Sequence, residues 1–380
     1  MLNRTQAIEY GKANGPDLHA LCQAASEVRN RHWGRVLTYS RKVFIPLTNM
    51  CRDTCGYCTF VKHPSSADAN IMTMDEVLTT VVEGQKLGCK EALFSLGERP
   101  EKRYSFAKEA LASLGYQSML DYLYDAAEQV LQQTELLPHI NGGTMTLDEL
   151  RMLKPVAASM GMMVENTSMR LLRKGQAHHA CPDKVPKLRL QTLKDAGKLD
   201  IAYTTGILIG IGETWEERVD SLMAINQIHQ EYGHIQEVII QNFRAKAGTA
   251  MANHPEPTRE DMRRTLAVAR LLLDPSISVQ APPNLETEYG SYISAGINDW
   301  GGISPLTQDF INPERAWPQI HSLTQACRGL DYDLQERLTI YPAYQNLSKA
   351  STRLYLDEAL TNKISAMAST SGLAAHQWTL

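Results

Sequence analysis

The sequence predicts an α/β protein: a parallel (β/α)8 barrel of the TIM type with helical extensions at its N- and C-terminal ends. Three observations lead there. Short apolar, β-branched runs recur along the chain and alternate with amphipathic helical stretches. The connections between successive runs are long enough for the dozen or more residues that a parallel crossover needs. Several helical stretches open on a Thr followed three residues later by a carboxylate, a spacing at which hydroxyl and carboxylate satisfy each other's free amide.

Taken in order, residues 1–36 read as a helical prelude. Strands are expected at Val43–Thr48, Glu91–Leu96, Leu136–Asn141, Gly161–Asn166, Tyr203–Ile211, Ile235–Asn242 and Ser278–Ala281, with a weaker eighth at Gly296–Trp300. Helix starts are marked by Thr73 with Glu76, Thr146 with Glu149, Thr214 with Glu217, and Thr258 with Asp261. Behind Thr214, residues Val219, Leu222, Met223, Ile225 and Ile228 recur at helical spacing, so that helix is expected to bury one face. The long crossover Tyr104–Thr134 has room for two helices. The barrel is thus assigned to 37–326, and 327–380 to a helical tail packed on the outside.

The 380 residues are 43% hydrophobic and 21% charged, the balance of a globular chain with ample core. A net charge of −4 gives no electrostatic reason to expect a nucleic-acid or membrane partner. Absence of an 18-residue apolar stretch or an apolar leader places the protein in the cytoplasm as an expectation. Seven cysteines in such a chain point to metal or redox chemistry rather than a disulfide framework.

Three of them fall in one loop. The first barrel strand runs into Asn49-Met50-Cys51-Arg52-Asp53-Thr54-Cys55-Gly56-Tyr57-Cys58. Iron–sulfur cubanes normally take four thiolates, and this loop offers three. Cys22, Cys89, Cys181 and Cys327 stand apart in sequence, so a bound cluster would keep one iron open to a ligand, as catalytic metal sites do. A zinc knuckle completed by His63, in a non-enzymatic zinc or iron–sulfur protein, is the competing reading.

The C-x3-C-x2-C loop with Tyr57 before its last cysteine resembles the signature of the radical S-adenosylmethionine (SAM) superfamily. That resemblance implies a 4Fe-4S cluster on Cys51, Cys55 and Cys58, whose open iron chelates SAM and whose electron cleaves it to methionine and a 5′-deoxyadenosyl radical. It further implies SAM contacts from Tyr57, from Gly97 and Glu98 (in place of a Gly-Gly-Glu, with Leu96 first), from Glu165 and Ser168, and from Arg189. Gly206 and Gly210, in Gly206-Ile207-Leu208-Ile209-Gly210-Ile211-Gly212-Glu213, resemble the G-x-I-x-G-x-x-E adenine strand. The competing structural roles are a turn at Glu98, a helix cap at Ser168, a surface ion pair at Arg189 and an ordinary strand end at Gly210.

Flanking segments resemble one family within the superfamily, the ring-closing subunit of the 7,8-didemethyl-8-hydroxy-5-deazariboflavin (FO) synthases. They include Tyr39–Thr48, Gly175–His178, Pro182–Lys184, Gln280–Leu285, Asp299–Pro305 and Leu334–Leu338. Asn141-Gly142-Gly143 departs from the pattern, where a Pro is expected after the Asn. The resemblance implies a carbon–nitrogen lyase of deazaflavin coenzyme biosynthesis. Its substrate is 5-amino-5-(4-hydroxybenzyl)-6-(D-ribitylimino)-5,6-dihydrouracil, ring closure releases ammonia, and methionine and 5′-deoxyadenosine are by-products. The implied partners are a flavodoxin or ferredoxin electron donor and the companion subunit that makes the adduct. Gln241, Asn242, Arg244, Asn284 and Asp299, near late strand ends, are candidate substrate contacts because amides match uracil edges. The companion subunit itself, or a biotin-synthase or menaquinone-pathway relative, shares the cysteine loop and is the alternative within the superfamily.

Overall fold

The computed structural model describes residues 1–345 and 353–375. Helices α1 (Arg4–Glu9) and α2 (Gly15–Trp33) precede β1 (Val36–Pro46). Then follow α3 (Met74–Lys86), β2 (Glu91–Ser95), α4 (Ser105–Ser113), α5 (Met119–Gln133), β3 (Leu137–Asn141), α6 (Leu147–Leu153) and β4 (Ser159–Gly161). The second half runs α7 (Pro186–Lys198), β5 (Tyr203–Ile209), α8 (Trp215–Tyr232), β6 (Ile235–Asn242), α9 (Arg259–Leu272), β7 (Ser278–Gln280), α10 (Tyr289–Ile293) and β8 (Asp299–Ile303). The chain continues through α11 (Ile320–Arg328), β9 (Asp333–Arg337) and α12 (Glu358–Met367).

Every pairing within the sheet is parallel, and β1 to β8 close on themselves because β1 is bonded to β2 on one side and β8 on the other. The four expected Thr–carboxylate boxes are formed, at the starts of α3, α6, α8 and α9. Each satisfies two amides that the helix leaves open, so these helices start where the sequence puts them. The long crossover holds the two expected helices, α4 and α5.

Three strands and the tail differ from expectation. The first, expected at Val43–Thr48, runs from Val36 to Pro46. The fourth strand, expected at Gly161–Asn166, pairs at Ser159–Gly161, and its continuation touches β5 through a single bridge between Glu165 and Ile207. Glu165 has φ 64°, a left-handed conformation that takes a non-glycine residue out of a strand ladder. The eighth strand, expected at Gly296–Trp300, starts at Asp299, because Gly296 has φ 94° and turns the chain there. The tail, expected to be helical over 327–380, holds α12 but also supplies β9, whose register Val36↔Asp333 to Ser40↔Arg337 pairs it with the N-terminal half of β1. Leu334 and Leu338 stand four apart around three polar residues, a spacing that suits a helix as well, so no local period marks this strand.

Beyond β9 the tail plugs the bottom of the barrel. Leu338, Ile340, Tyr341 and Tyr344 pack with Leu137, Ala158 and Ala202 at the starts of β3, β4 and β5. Arg337, only 4% exposed, donates to Asp299 on β8 (2.7 Å) and to Glu237 on β6 (3.1 Å). Asp299 also accepts from the Thr38 hydroxyl, and Glu237 from the Tyr341 hydroxyl at 3.0 Å. One guanidinium therefore serves two buried carboxylates from different strands and ties the tail to the barrel.

Removing one partner of such a buried set leaves uncompensated charge, so Arg337→Met is expected to cost about 3–5 kcal/mol. The denaturant midpoint of the purified protein measures it, and a midpoint unchanged from wild type would show that the plug is dispensable.

Candidate active site

The loop after β1 is held over the C-terminal mouth of the barrel by backbone hydrogen bonds to three other loops. Gly97 N–H donates to Thr48 O (2.8 Å), Arg52 N–H to Glu98 O (2.7 Å) and Gly56 N–H to Ala177 O (2.8 Å), and Met251 N–H donates to Gly56 O (2.9 Å). The approach at Gly97 is so close that a Cβ there would overlap Met50 O, which restricts the position to glycine. Tyr57 packs on a small apolar cluster of Leu171, Ala177, Leu208, Ile211 and Phe243.

Beneath this loop lies a cavity of about 330 Å³, lined by Cys51, Cys55, Tyr57, Cys58, Gly97, Glu98, Glu165, Arg189, Gln241, Asn242 and Arg244. Each of these is expected at a site, and they come from loops, strands and one helix spread over nearly two hundred residues. The structure brings them to the C-terminal face, where parallel barrels keep their chemistry.

The three thiols fit an iron–sulfur cluster on two observations. Cys51 Sγ accepts backbone N–H bonds from Asp53 (3.3 Å) and Glu98 (3.1 Å), the kind of bond that stabilises a ligating thiolate. Gly97, by lacking a Cβ, lets the backbone after β2 come close enough to Met50 and Cys51 for the Glu98 N–H to reach that sulfur. Burial pushes the Cys51 thiol up to about 12 and raises Cys58, whereas a hydrogen bond from Cys181 lowers Cys55. A bound metal cation reverses the effect of burial by deprotonating its thiols outright.

Beside the cysteines is a buried group of opposed charges. Arg189 Nη2 lies 3.3 Å from Glu98 Oε2, both at 7% side-chain exposure or less. Arg189 is aimed by bonds to the carbonyls of Asp183 (2.9 Å) and Met163. Glu98 is fixed by the backbone N–H (2.6 Å) and the hydroxyl of Thr144, and Gly143 makes room for its carboxylate. Glu165 pairs with Lys184 at 2.8 Å, and Asp183 takes a forked contact from Arg52. Asp53 Oδ2 is buried with no hydrogen-bond partner among the described residues, and burial pushes that carboxyl up to about 6.

Five expected site residues do not line this cavity. Ser168 caps the turn that follows it, accepting Arg170 N–H (3.2 Å), and its hydroxyl donates to Glu217 (2.6 Å), so the helix-cap alternative holds. Gly206 lies inside β5 against Ile239 O and Met163 Sδ, where its lack of Cβ serves strand packing. Gly210, at φ 88°, packs on Pro257 within a turn closed by Glu213, which accepts the Gly210 and Ile211 amides at 2.8 Å. Asn284 faces a neighbouring cavity of about 280 Å³ and donates to Asp309 (2.9 Å). Asp299 is the first residue of β8 and so sits at the bottom of the barrel, paired with Arg337, away from the mouth.

Sequence reasoning also missed residues. Cys181, distant in sequence, brings its Sγ to 3.7 Å from Cys55 Sγ; it backs that thiol from outside the lined cavity. No local spacing relates positions 126 residues apart, so nothing flagged it. Asp183 and Lys184 lay within the noted Pro182-Asp183-Lys184 stretch, and their place just before the helix of Arg189 was the available signal. His178, the last residue of the Gly175–His178 segment, is buried behind Tyr57 with its Nε2 3.2 Å from the phenol oxygen, and burial lowers it to about 2.

The fold and the thiol loop define a radical SAM barrel: residues 45–225 match the family model described as the radical SAM superfamily. Solved structures share the architecture, among them methylornithine synthase (TM-score 0.69, 18% identity, 88% of this chain and 94% of that one). The FeFe-hydrogenase maturase HydG is another (TM-score 0.73, 17% identity, 90% and 74%). Among relatives, the 7,8-didemethyl-8-hydroxy-5-deazariboflavin synthase of Methanopyrus kandleri is 47% identical over 331 residues, 85% of this chain and 99% of its own length. The FO synthases of Mycobacterium tuberculosis (48% over 384 residues) and Nocardia farcinica (50% over 355 residues) are matched over 97% and 90% of this chain. The chain spans only 44% and 41% of those two relatives' own lengths. The chain belongs to the 7,8-didemethyl-8-hydroxy-5-deazariboflavin synthase family. A family of radical SAM enzymes implies a 4Fe-4S cluster and SAM.

Because a Cβ at 97 would overlap Met50 O, Gly97→Ala is expected to push the cysteine loop off its seat. Iron content and the optical spectrum after anaerobic reconstitution should show loss of cluster while far-ultraviolet circular dichroism stays native. Full iron loading in Gly97→Ala would refute the close approach.

Proposed function

We propose that this protein is the ring-closing enzyme of FO synthesis, a carbon–nitrogen lyase acting on 5-amino-5-(4-hydroxybenzyl)-6-(D-ribitylimino)-5,6-dihydrouracil. The observation that carries the reading is that three thiols of one loop and the Glu98–Arg189 pair face the same cavity, in a chain aligned along 99% of a deazariboflavin synthase. Cys51, Cys55 and Cys58 hold the cluster, and Cys181, which does not face the cavity, does not complete it. When bound and reduced, the cluster supplies the electron that cleaves SAM to methionine and a 5′-deoxyadenosyl radical.

The remaining work belongs to the chain. Arg189 presents a planar fork that suits the methionyl carboxylate of SAM, and Glu98 is a carboxylate for its ammonium. In the ligand-free arrangement the two neutralise each other, which keeps both charges tolerable in a buried position. Tyr57, over the apolar cluster, excludes water from the mouth, and a dry cavity prevents a radical from reacting with solvent. Asn242, 4% exposed, keeps its Oδ1 without a partner among the described residues, an acceptor left for substrate, with Gln241 and Arg244 beside it. The adduct comes from a companion enzyme and the electron from a flavodoxin or ferredoxin.

Anaerobically reconstituted protein given reductant, SAM and the adduct should develop deazaflavin fluorescence; SAM cleavage without it would overturn the substrate assignment. Cys58→Ala is expected to abolish SAM cleavage, whereas Cys89→Ala and Cys327→Ala retain the cluster, since both thiols lie outside the cavity.

Loss of a charge-assisted contact is worth about 1.5–3 kcal/mol, or roughly tenfold to a hundredfold in affinity. Glu98→Gln and Arg189→Lys should each weaken SAM binding by that factor in equilibrium dialysis of the cluster-loaded protein. Wild-type affinity in both would remove these residues from the SAM site.

A further inference from the structure

The cavity does not end beneath the cysteines. It descends through the barrel to a layer of Lys42, Glu91, His139, Glu237 and Gln280, resting on Arg337 and Thr339 of the tail. TIM-type barrels ordinarily fill this level with branched apolar side chains. The polar groups here are unequally provided for. Glu91 accepts from Ser40, Glu237 is bonded to Arg337 and Tyr341, and His139 lies 2.7 Å from Ser159 Oγ. Lys42 and Gln280 have no side-chain hydrogen bond or salt bridge among the described residues. Lys42 and Glu91 are register partners on adjacent strands, yet the ammonium makes no ion pair and stands 4.4 Å above the Phe44 ring.

Room for these two side chains is made by consecutive glycines on β8. A Cβ at Gly302 would overlap Lys42 Cδ, Cε and Nζ, and one at Gly301 would overlap the Gln280 amide. Gly301 has φ 70°, a second reason for glycine there. Both side chains are thus seated in the lumen, and among the described residues neither polar end has a hydrogen-bond partner, the Lys42 ammonium meeting only the Phe44 ring.

We propose that Lys42 and Gln280 form the deep subsite of the cavity and bind a cyclic ureide, the pyrimidinedione end of the substrate. An ammonium donates in up to three directions, and an amide both donates and accepts, which matches the alternating carbonyl and N–H edge of such a ring. The aromatic end then lies higher, where Phe44 and Trp317 stack with ring centres 5.7 Å apart and line the same cavity. That leaves the atoms to be oxidised nearest the cysteine mouth. This rests on the proposed function and adds to it the orientation of the substrate and the residues that read it.

The test is calorimetric titration of the adduct into anaerobic, SAM-loaded holoenzyme without reductant, so that binding is read with no turnover. Lys42→Met and Gln280→Leu should each weaken adduct binding at least about tenfold, the worth of a hydrogen bond to a charged or buried group. Gly302→Ala should weaken it too, by displacing Lys42. SAM affinity should stay at wild type, and Lys42→Met should melt no lower than wild type, because it removes an unpaired ammonium. Wild-type adduct affinity in Lys42→Met, or a lowered melting temperature with that affinity retained, overturns the subsite and makes Lys42 structural. A wild type that binds the adduct but forms no deazaflavin on reduction overturns the proposed function and leaves the subsite standing. A wild type that does not bind the adduct overturns both.

Discussion

A strand hydrogen-bonded on both edges cannot slide without breaking two ladders at once, and β1 is held by three neighbours. Lys42–Pro46 pairs with β2, Thr38–Arg41 with β8, and Val36–Ser40 with β9. This closure fixes the direction of every other strand, since all are parallel to β1, and therefore gathers all strand-following loops at one mouth. It also puts the cysteine loop, which leaves the end of β1, directly beside the loop after β2. The close approach of Gly97 to Met50 and the bonding of Cys51 to the Glu98 amide follow from that adjacency.

Charge is buried at both ends of this barrel, and in each case a guanidinium makes it tolerable. Arg189 at the mouth faces Glu98, and Arg337 at the floor faces Asp299 and Glu237. The two differ in use. Arg337 is saturated by acids and closes the structure, whereas Arg189 and Glu98 face an open cavity where a zwitterionic ligand can exchange partners with them. Lys42, in the lumen between them, has neither a carboxylate nor a hydrogen-bond partner among the described residues, a feature that ligand binding explains better than stability does.

Much of the site was legible locally. The cysteine spacing, the Gly97-Glu98 pair, Arg189 on its helix and the run Gln241–Arg244 could be read because each is a short segment tied to a strand end or a helix. Residues misplaced by sequence reasoning share a cause. Asp299 moved from mouth to floor because the strand began three residues later than expected, which reverses the end of the barrel a residue occupies. Ser168 and Gly210 were assigned to ligand contacts, but the local turn hydrogen bonds they serve are as well satisfied without any ligand.

The sequence by itself determined the class of fold, the starts of four helices and the three thiols, because periodicity, capping boxes and motif spacing act over a few residues. Only the tertiary structure decided that Cys181 backs Cys55, that Arg189 meets Glu98, that the tail forms β9 and plugs the floor, and that Gly301 and Gly302 clear space for Gln280 and Lys42. Each of those contacts joins residues far apart in the chain, and which of them meet is set by barrel closure and strand register, quantities that no local pattern encodes.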